Sequence, residues 1–520
     1  MYGEGTPDPL DPSAGTSRPG PDAGDTPGTR GAVEASGAGD ALAATGVTVR
    51  EAGDGDEVAG VRPRWVTLPE SAEEIAAVLR ACAAHDLAAV ATGGRTKLHW
   101  AAPPERCDVL VDLGRMNRVL EHTPGDLVVR VQAGVTAEAL ASALAAEHQE
   151  LALDVPVPGT TVGGLLATGI AGPRGFRHGT ARDLLIGITV VLADGTIARS
   201  GGKVVKNVAG YDLGKLFTGS YGTLGIIADA TFRLRPLPAA RAWVTASVGR
   251  PVTETVQPYV YEGKTLDTTS TDVAAALRAM VPAITESPLE PSAVEVDWPD
   301  VDGLCTVAVL VEGSAAAERA KALSALMGGT AEVSEQPPPW WGRLPGPPAE
   351  GPEPDAPMVG ITIGGRAVSP SPPAEAGPAG SLGAEATAPD GRASSSPSDS
   401  GEILLEVRNV PSRLAGSFVG PFRAARAAGV RPAVRGSLAA QVLHVALPPG
   451  TEPGRVAAFT GELRAHLEDE GRVVVLCAPV EAARRLDRWG RVGALPLMRR
   501  VKERFDPGRR LSPGRFVGGL

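Results

Sequence analysis

The residues of this chain that could do chemistry cluster in three glycine-rich segments. The first is Thr92-Gly93-Gly94-Arg95-Thr96-Lys97-Leu98. Successive glycines let backbone N–H groups converge on an anion, and Arg95 or Lys97 can add positive charge. That combination suits a diphosphate, although an ordinary tight turn is the plainer reading of this loop by itself. The second, PVPGTTVGGLLATGIAG over 156–172, contains Pro158, Gly159, Thr160 and Thr161 ahead of a small-residue helical start with Gly163 and Gly164, then Thr168 and Gly169. Small residues there admit a flat ligand or a second backbone at close range. The third, GGKVVKNVAGYDLGKLFTGSYGTLGII over 201–227, carries Lys203, Lys206 and Asn207 and ends at Gly225 and Ile226. Each lysine, taken singly, reads as solvated surface.

Other chemistries lack their residues. No GxGxxG joins a strand to a helix, and Gly263-Lys264-Thr265 has Pro258 where a phosphate loop needs glycine. HExxH and GxSxG motifs are missing. The seven histidines are scattered, and only His178, in GPRGFRHGTARD, is placed near a pocket, with a structural hydrogen bond as its plainer role. Cys82, Cys107, Cys305 and Cys477 are far apart, so the chain shows no iron–sulfur or zinc framework. Isolated thiols without a secretory leader fit a reducing cytoplasm.

The elements that must hold these loops follow from patterning. Ser71-x-x-Glu74 starts a helix running to about His85 on Ile75, Val78, Leu79 and Cys82. AAVAT, VLVDL and LVVRVQA read as strands at 88–92, 109–113 and 127–133, and Thr136 to about His148 as an amphipathic helix. LLIGITVVLADGTIARSGG reads as a hairpin turning at Asp194-Gly195. Tyr211–Phe217 reads as a short helix. Further on, Thr306–Val311 predicts a strand and Ala315–Met327 a helix, and a basic helix closes the chain around Leu497–Phe505.

At 520 residues the chain exceeds a single core, and glycine and proline make up about a fifth of it. Residues 1–45 read as a disordered tail, 58–238 as the first folded domain, 239–490 as an α+β cap, and 491–520 as a C-terminal helix and turn. A low-complexity insert covers about 366–401. Its flanks MVGITI and EILLEVRNV both read as strands, which makes the insert a long hairpin loop. The double tryptophan of PPPWWG (337–342) is expected to cover apolar surface. Net charge is −10, and residues 1–57 hold 11 acidic against 3 basic side chains. The near-neutral remainder lacks the basic excess of a nucleic-acid binder. No apolar run is long enough to span a membrane.

In order, WVTLPESAEEIAAVLRACAAHDLAAVATGGRTKL, PGTTVGGLLATG and GSYGTLGII resemble the FAD-binding domain of the vanillyl-alcohol oxidase / p-cresol methylhydroxylase superfamily, over about 58–238. GGKVVKNVAGYDLGKLFTGSYGTLG and the preceding ALDVP are similar to FAD-binding subunits of glycolate oxidase. LMRRVKERFDPGRRLSPGRF resembles the closing segment of FAD-linked 2-hydroxy-acid oxidases. The resemblance implies an α+β fold: a two-subdomain FAD-binding domain of the p-cresol methylhydroxylase type, an α+β cap, and a C-terminal segment returning to the FAD domain. It further implies that residues 92–98 bind the cofactor, the backbone amides of 93–97 holding the diphosphate, that 158–169 lie along the ribityl chain and ring, and that Gly225 and Ile226 meet the ring edge.

The implied function is an electron-transferring FAD subunit of a complex oxidising glycolate to glyoxylate, the cofactor performing the redox step. A sister flavoprotein subunit and an iron–sulfur subunit are its implied partners, and the cytoplasm, or the inner face of the membrane through those partners, its location. Two alternatives stand beside it: a self-sufficient FAD-linked D-2-hydroxy-acid dehydrogenase, needing a cation for the carboxylate and a base for the hydroxyl, and a cofactor-free structural subunit. The cap lacks the family's His…His-Glu metal site, Tyr221 replaces an acidic residue in Gly-Ser-Tyr-Gly-Thr-Leu-Gly, and no histidine stands in the first loop, which favours non-covalent FAD.

Overall fold

The computed structural model describes residues 37–202, 212–248, 259–261, 264–266, 268–300, 303–328, 331–346, 361–363, 366–368, 401–409, 414–468, 470–483 and 485–520. Lys203, Lys206, Asn207, Tyr211, the tail up to residue 36 and most of the 366–401 insert lie outside them. The described residues begin inside the segment expected to be a tail. A helix at 37–43 buries Ala38 and Leu42 under the first domain, inside the expected tail.

The first subdomain is a four-stranded sheet in the order Thr48–Glu51, Trp65–Leu68, Val109–Asp112, Ala89–Thr92, its first pair antiparallel and the other two parallel. The helix Ala72–Ala84 starts where Ser71 accepts the Glu74 N–H, and it buries the expected apolar face. The second subdomain centres on a seven-stranded sheet in which Arg118–Thr123, Val128–Gln132, Ile226–Arg233, Leu185–Val191 and Ile197–Gly201 are consecutive antiparallel neighbours. The helix Ala137–Ala145, capped by Thr136, accompanies it.

The cap is an eight-stranded antiparallel sheet built from two βαββαβ units. The first runs Arg241–Val248, Thr268–Thr285, Ala293–Trp298, Cys305–Glu312, Ala316–Leu326, Glu332–Ser334. The second runs Ile403–Asn409, Leu414–Ala428, Ala433–Ser437, Val442–Leu447, Pro453–Leu467, Gly471–Cys477. Within each unit the strands lie in the order fourth, first, third, second. The units meet head to head where Ala293–Trp298 pairs with Ala433–Ser437.

Side chains alternate across a sheet. One face of the cap buries Val244, Val296, Val309, Val407, Val445 and Val475 under its helices. The other face turns to the FAD domain, where Leu404, Ala446, Val474 and Leu476 join that domain's core.

Two expectations are corrected. Ile361–Ile363 and Ile403–Asn409 are not hairpin partners. The former pairs with Arg366–Val368 and, in parallel, with Arg118–Thr123 of the FAD domain, while the latter lies in the cap sheet between Val442–Leu447 and Gly471–Cys477. Both are apolar runs, and strand propensity does not name the sheet that receives them. The strand Gly471–Cys477, absent from the sequence reading, fills the cap's edge position.

The C-terminal segment returns to the FAD domain. Ala89 donates to the Arg510 carbonyl and Ser512 to that of Ala89, so Leu511 extends the first sheet. Lys502, wholly buried, donates to the carbonyls of Thr223 and Leu511 and to Asp506 at 2.6 Å. Arg515 donates to the carbonyls of Leu98 and Trp100.

Candidate active site

Folding brings the first two glycine loops into contact. A Cβ on Gly94 would stand 2.0 Å from the Gly159 carbonyl oxygen, and one on Gly93 would stand 2.3 Å from Thr161 Oγ1. Gly159 has φ +71° and donates its N–H to Glu138 at 3.0 Å. Lys97 Nζ bridges the loops, donating to Thr96 Oγ1 (3.0 Å) and Thr160 Oγ1 (2.6 Å). Among the described residues, no protein group accepts the backbone N–H groups of Gly94, Arg95, Thr96 and Lys97. Among the described residues no carboxylate forms an ion pair with Lys97, whose ammonium is pushed down to about 8 by burial against the weaker raising effect of Glu138. Four open amides beside a buried ammonium without an ion-pair partner form a receptacle for an anion. The loop's chemistry and its glycine-dependent closeness fit an FAD diphosphate.

Arg95 does not serve that receptacle. Its guanidinium donates to Asp56 at 2.7 Å and Asp112 at 2.8 Å, tying the loop to the sheet. These two carboxylates consume its charge, which corrects the expectation of a second phosphate cation. Thr92 is buried, and the Leu98 carbonyl is taken by Arg515.

The helix Val162–Thr168 carries the site onward. Thr161 caps it, accepting the Gly164 N–H. Gly163 lies so near Ala133 that a Cβ would reach the Ala133 Cβ at 2.9 Å. Seven residues span about 10 Å. At its far end Thr168, Gly169 (φ +67°) and Ile170 open on a cavity of about 300 Å³. Gly219 and Tyr221 of the third loop reach the same place, donating their N–H groups to the carbonyls of Leu166 and Ala167. Tyr221 is held at φ +54° against Trp489 and Phe516, ring centroids 6.0 and 5.9 Å away.

Gly225 and Ile226 do not line this cavity. Gly225 packs on Phe217 and Val191, and Ile226 is core. The third loop contributes its turn residues instead, because the strand they introduce must enter the sheet.

The opposite wall comes from the cap's second face, which sequence reading passed over. Paired residues form a row across five strands: Glu295, Ser437, Val442, Arg408, Arg472. Beside it stand Asp297, Arg435, His444 and Glu406 in register. Arg408 and Arg472 face the 300 Å³ cavity together with Arg182 and Glu406. A second cavity of about 250 Å³ lies beyond Arg408 and Thr180, which line both, and is bounded by Glu295, Ser437, Val442, His444 and Leu344.

Burial raises Glu406, but Arg408, bonded to it at 2.7 and 3.1 Å, wins and holds the carboxyl below its usual range. His444, 3.9 Å from Glu406, is lowered by burial and is therefore neutral at pH 7. The sequence signal for this face was charge at alternate positions of β-rich strands, as in Glu295-Val296-Asp297 and Glu406-Val407-Arg408.

His178 keeps the structural role expected of it. Its Nε2 lies 3.1 Å from Glu312, within a cluster where Arg174 contacts Glu150 (2.7 Å) and Asp154 (2.9 Å) and Arg241 contacts Glu150 (2.6 Å) and Glu312 (3.0 Å). This cluster locks the cap to the FAD domain. Trp341 packs edge-on against Trp243 at 6.2 Å, covering the outer end of the same cap face. His99, Glu402 and Cys477, remote in sequence, place their donor atoms within 4.8 Å of one another at the domain junction. Among the described residues no helix is long and apolar enough to cross a membrane.

Comparison with known proteins agrees with this architecture. Residues 63–201 match the family model of an FAD binding domain. p-Cresol methylhydroxylase, solved with substrate bound, superposes with a TM-score of 0.60 at 15% identity, covering 95% of this chain and 97% of that one. The 4-ethylphenol oxidase from Gulosibacter chungangensis gives 0.61 at 15% identity over 93% and 97%. This is a p-cresol methylhydroxylase fold with an FAD binding domain.

Curated relatives of that domain include the glycolate oxidase subunit GlcD of Bacillus subtilis (strain 168), 37% identical over 188 residues, 35% of this chain and 39% of its own length. The D-2-hydroxyglutarate dehydrogenase of Xanthomonas citri pv. viticola is 36% identical over 177 residues, 34% and 38%. The mitochondrial D-lactate dehydrogenase (cytochrome) 1 of Saccharomyces cerevisiae is 35% identical over 189 residues, 36% and 32%. The chain thus spans well under half the length of these relatives. FAD is the cofactor such a domain binds.

Proposed function

We propose that the chain is an FAD-linked dehydrogenase of 2-hydroxy acids. The observation that carries this reading is the pair of cavities between FAD domain and cap that share Arg408 and Thr180 in their walls, with Arg472 beside Arg408. The relatives of the FAD domain, named as acting on glycolate, D-lactate and D-2-hydroxyglutarate, support it.

In this reading the amides of 94–97 and Lys97 hold the diphosphate. Val162–Thr168 would hold the ribityl chain, and Gly169, Tyr221 and Trp489 would hold the ring. When bound, FAD supplies the two-electron acceptor for the substrate's C2–H bond. Arg408 and Arg472 bind the carboxylate. Neutral His444 takes the hydroxyl proton as C2–O becomes a carbonyl, and Glu406 stabilises the imidazolium that results. Tyr221, Trp489 and Phe516 keep water from the redox centre.

Non-covalent attachment is supported by the 300 Å³ cavity, whose described lining holds neither histidine nor cysteine. Work within a larger complex with a sister flavoprotein and an iron–sulfur subunit remains part of the proposal. The similarity of residues in the FAD domain to a glycolate oxidase subunit supports it, and the four scattered cysteines of the chain form no cluster to carry electrons onward.

The test is anaerobic reduction of the purified holoprotein. Glycolate or D-lactate should bleach the flavin absorbance, and acid precipitation should release FAD to the supernatant. Arg408→Ala should lower kcat/KM at least 100-fold, since truncation removes the carboxylate's cation and leaves Glu406 unpaired. A protein that purifies without flavin and takes up none would support a cofactor-free structural subunit instead.

A further inference from the structure

The second cavity holds more than a two-carbon acid requires. Glu295 Oε1 and His444 Nε2 both face no hydrogen-bond partner, although their residues are only 4% and 5% exposed. Burying an unpartnered polar atom is unfavourable, so two of them on one cavity mark a place where something polar binds. Neither orphan is needed by the fold. Glu295 lies in mid-strand, between Val294 and Val296, which are fully buried on the helix-covered face, where any apolar residue would satisfy the sheet.

The row across the cap gives the cavity its length. Glu295, Ser437, Val442 and Arg408 occupy four neighbouring strands in direct register. Three inter-strand spacings are about 14 Å. A carboxylate held at Arg408 therefore leaves most of that distance to be bridged before Glu295, which glycolate cannot do and a chain of five or six carbons can.

The lining also sets the chemistry of that chain. Burial pushes the Glu295 carboxyl well above its usual range and so favours the protonated form, which has both an O–H donor and a carbonyl acceptor. Ser437, which accepts the Ala440 N–H at 3.1 Å, adds a hydroxyl oxygen. Hydroxyl groups, which donate and accept, match this set. A second carboxylate does not, because Arg408 is taken by the first one and Arg343 has contacts of its own.

We infer that the cavity beyond Arg408 is a tail subsite, and that the preferred substrates are polyhydroxylated 2-hydroxy acids of sugar-acid type rather than glycolate. This rests on the reading of the chain as an FAD-linked 2-hydroxy-acid dehydrogenase.

The test compares kcat/KM of the holoprotein, with an artificial electron acceptor, for a six-carbon aldonic acid, glycolate and D-2-hydroxyglutarate. The aldonic acid should exceed each of the others at least tenfold. Glu295→Leu should reduce that preference at least tenfold, mainly through KM, and Glu295→Gln, still a donor and acceptor, should restore most of it. Flavin content reports the folding of each variant. Equal or better turnover of glycolate or D-2-hydroxyglutarate overturns the tail subsite while leaving the dehydrogenase reading intact. Reduction by none of the three acids overturns both.

Discussion

Lys97 concentrates the electrostatics of the cofactor loop in one side chain. Its ammonium is 8% exposed, bonded only to the hydroxyls of Thr96 and Thr160, and pushed down to about 8 by burial. An unfolded chain holds this proton with the ordinary value of 10.5. Between pH 8 and 10.5 the folded protein without cofactor binds fewer protons than the unfolded one, so its stability should rise with pH across that window. A diphosphate favours the charged form, so cofactor affinity should move the other way. The FAD dissociation constant should increase above pH 8 by up to about tenfold per pH unit. Fluorescence titration of apoprotein from pH 7 to 10 measures this. Lys97→Met should bind FAD at least tenfold more weakly, with a flat pH profile; an unchanged slope in that variant would remove Lys97 from the site.

Elements place the loops, and the spacing between them tolerates no methyl group. Gly94→Ala would drive a Cβ into the Gly159 carbonyl, where backbone rather than a flexible side-chain end must yield. Flavin content at purification should fall at least tenfold. Gly55→Ala, whose Cβ would meet nothing within 4 Å, should retain full content and serves as the control. Absorbance ratios of the two proteins decide the matter. Local patterning located most of these elements in the FAD domain, because capping residues and apolar periodicity act within a dozen residues: Ser71 and Thr136 both stand where helices begin. It did not locate the cap's internal duplication. The two βαββαβ units share a strand order, but their helices bury different side chains, and Ile403–Asn409 finds its neighbours only when the sheet closes. The polar row from Arg472 to Glu295 was invisible for the same reason.

At the scale of the whole molecule, the lock between domains is ionic and largely buried. Burial raises Glu312, but contacts with His178, Arg241 and Arg174 outweigh it and hold the carboxyl down to about 2. Because the folded value lies below the unfolded 4.5, this group's stabilisation is complete above pH 4.5 and is lost as pH falls toward 2. Chemical denaturation should show stability declining through that window, and Arg241→Ala should shallow the decline. Arg174→Ala, stripping the cation from Glu150, Asp154 and Glu312 together, should cost about 3–5 kcal/mol. A loss below 1 kcal/mol in urea unfolding would mean that the domains dock without it.

The glycine loops, their order, the helix caps and the C-terminal helix were all determined within short stretches of sequence, since turns, caps and amphipathic faces depend on neighbours a few positions away. Tertiary structure alone decided which loop residues line the cavity and which cation is left without a carboxylate: Gly219 and Tyr221 rather than Gly225 and Ile226, and Lys97 rather than Arg95. It alone assembled the cap wall, where Glu295 and Arg408 are 113 positions apart in the chain yet share one cavity. Registry between distant strands is set by sheet closure and core packing, and these depend on contacts that no local window of sequence contains.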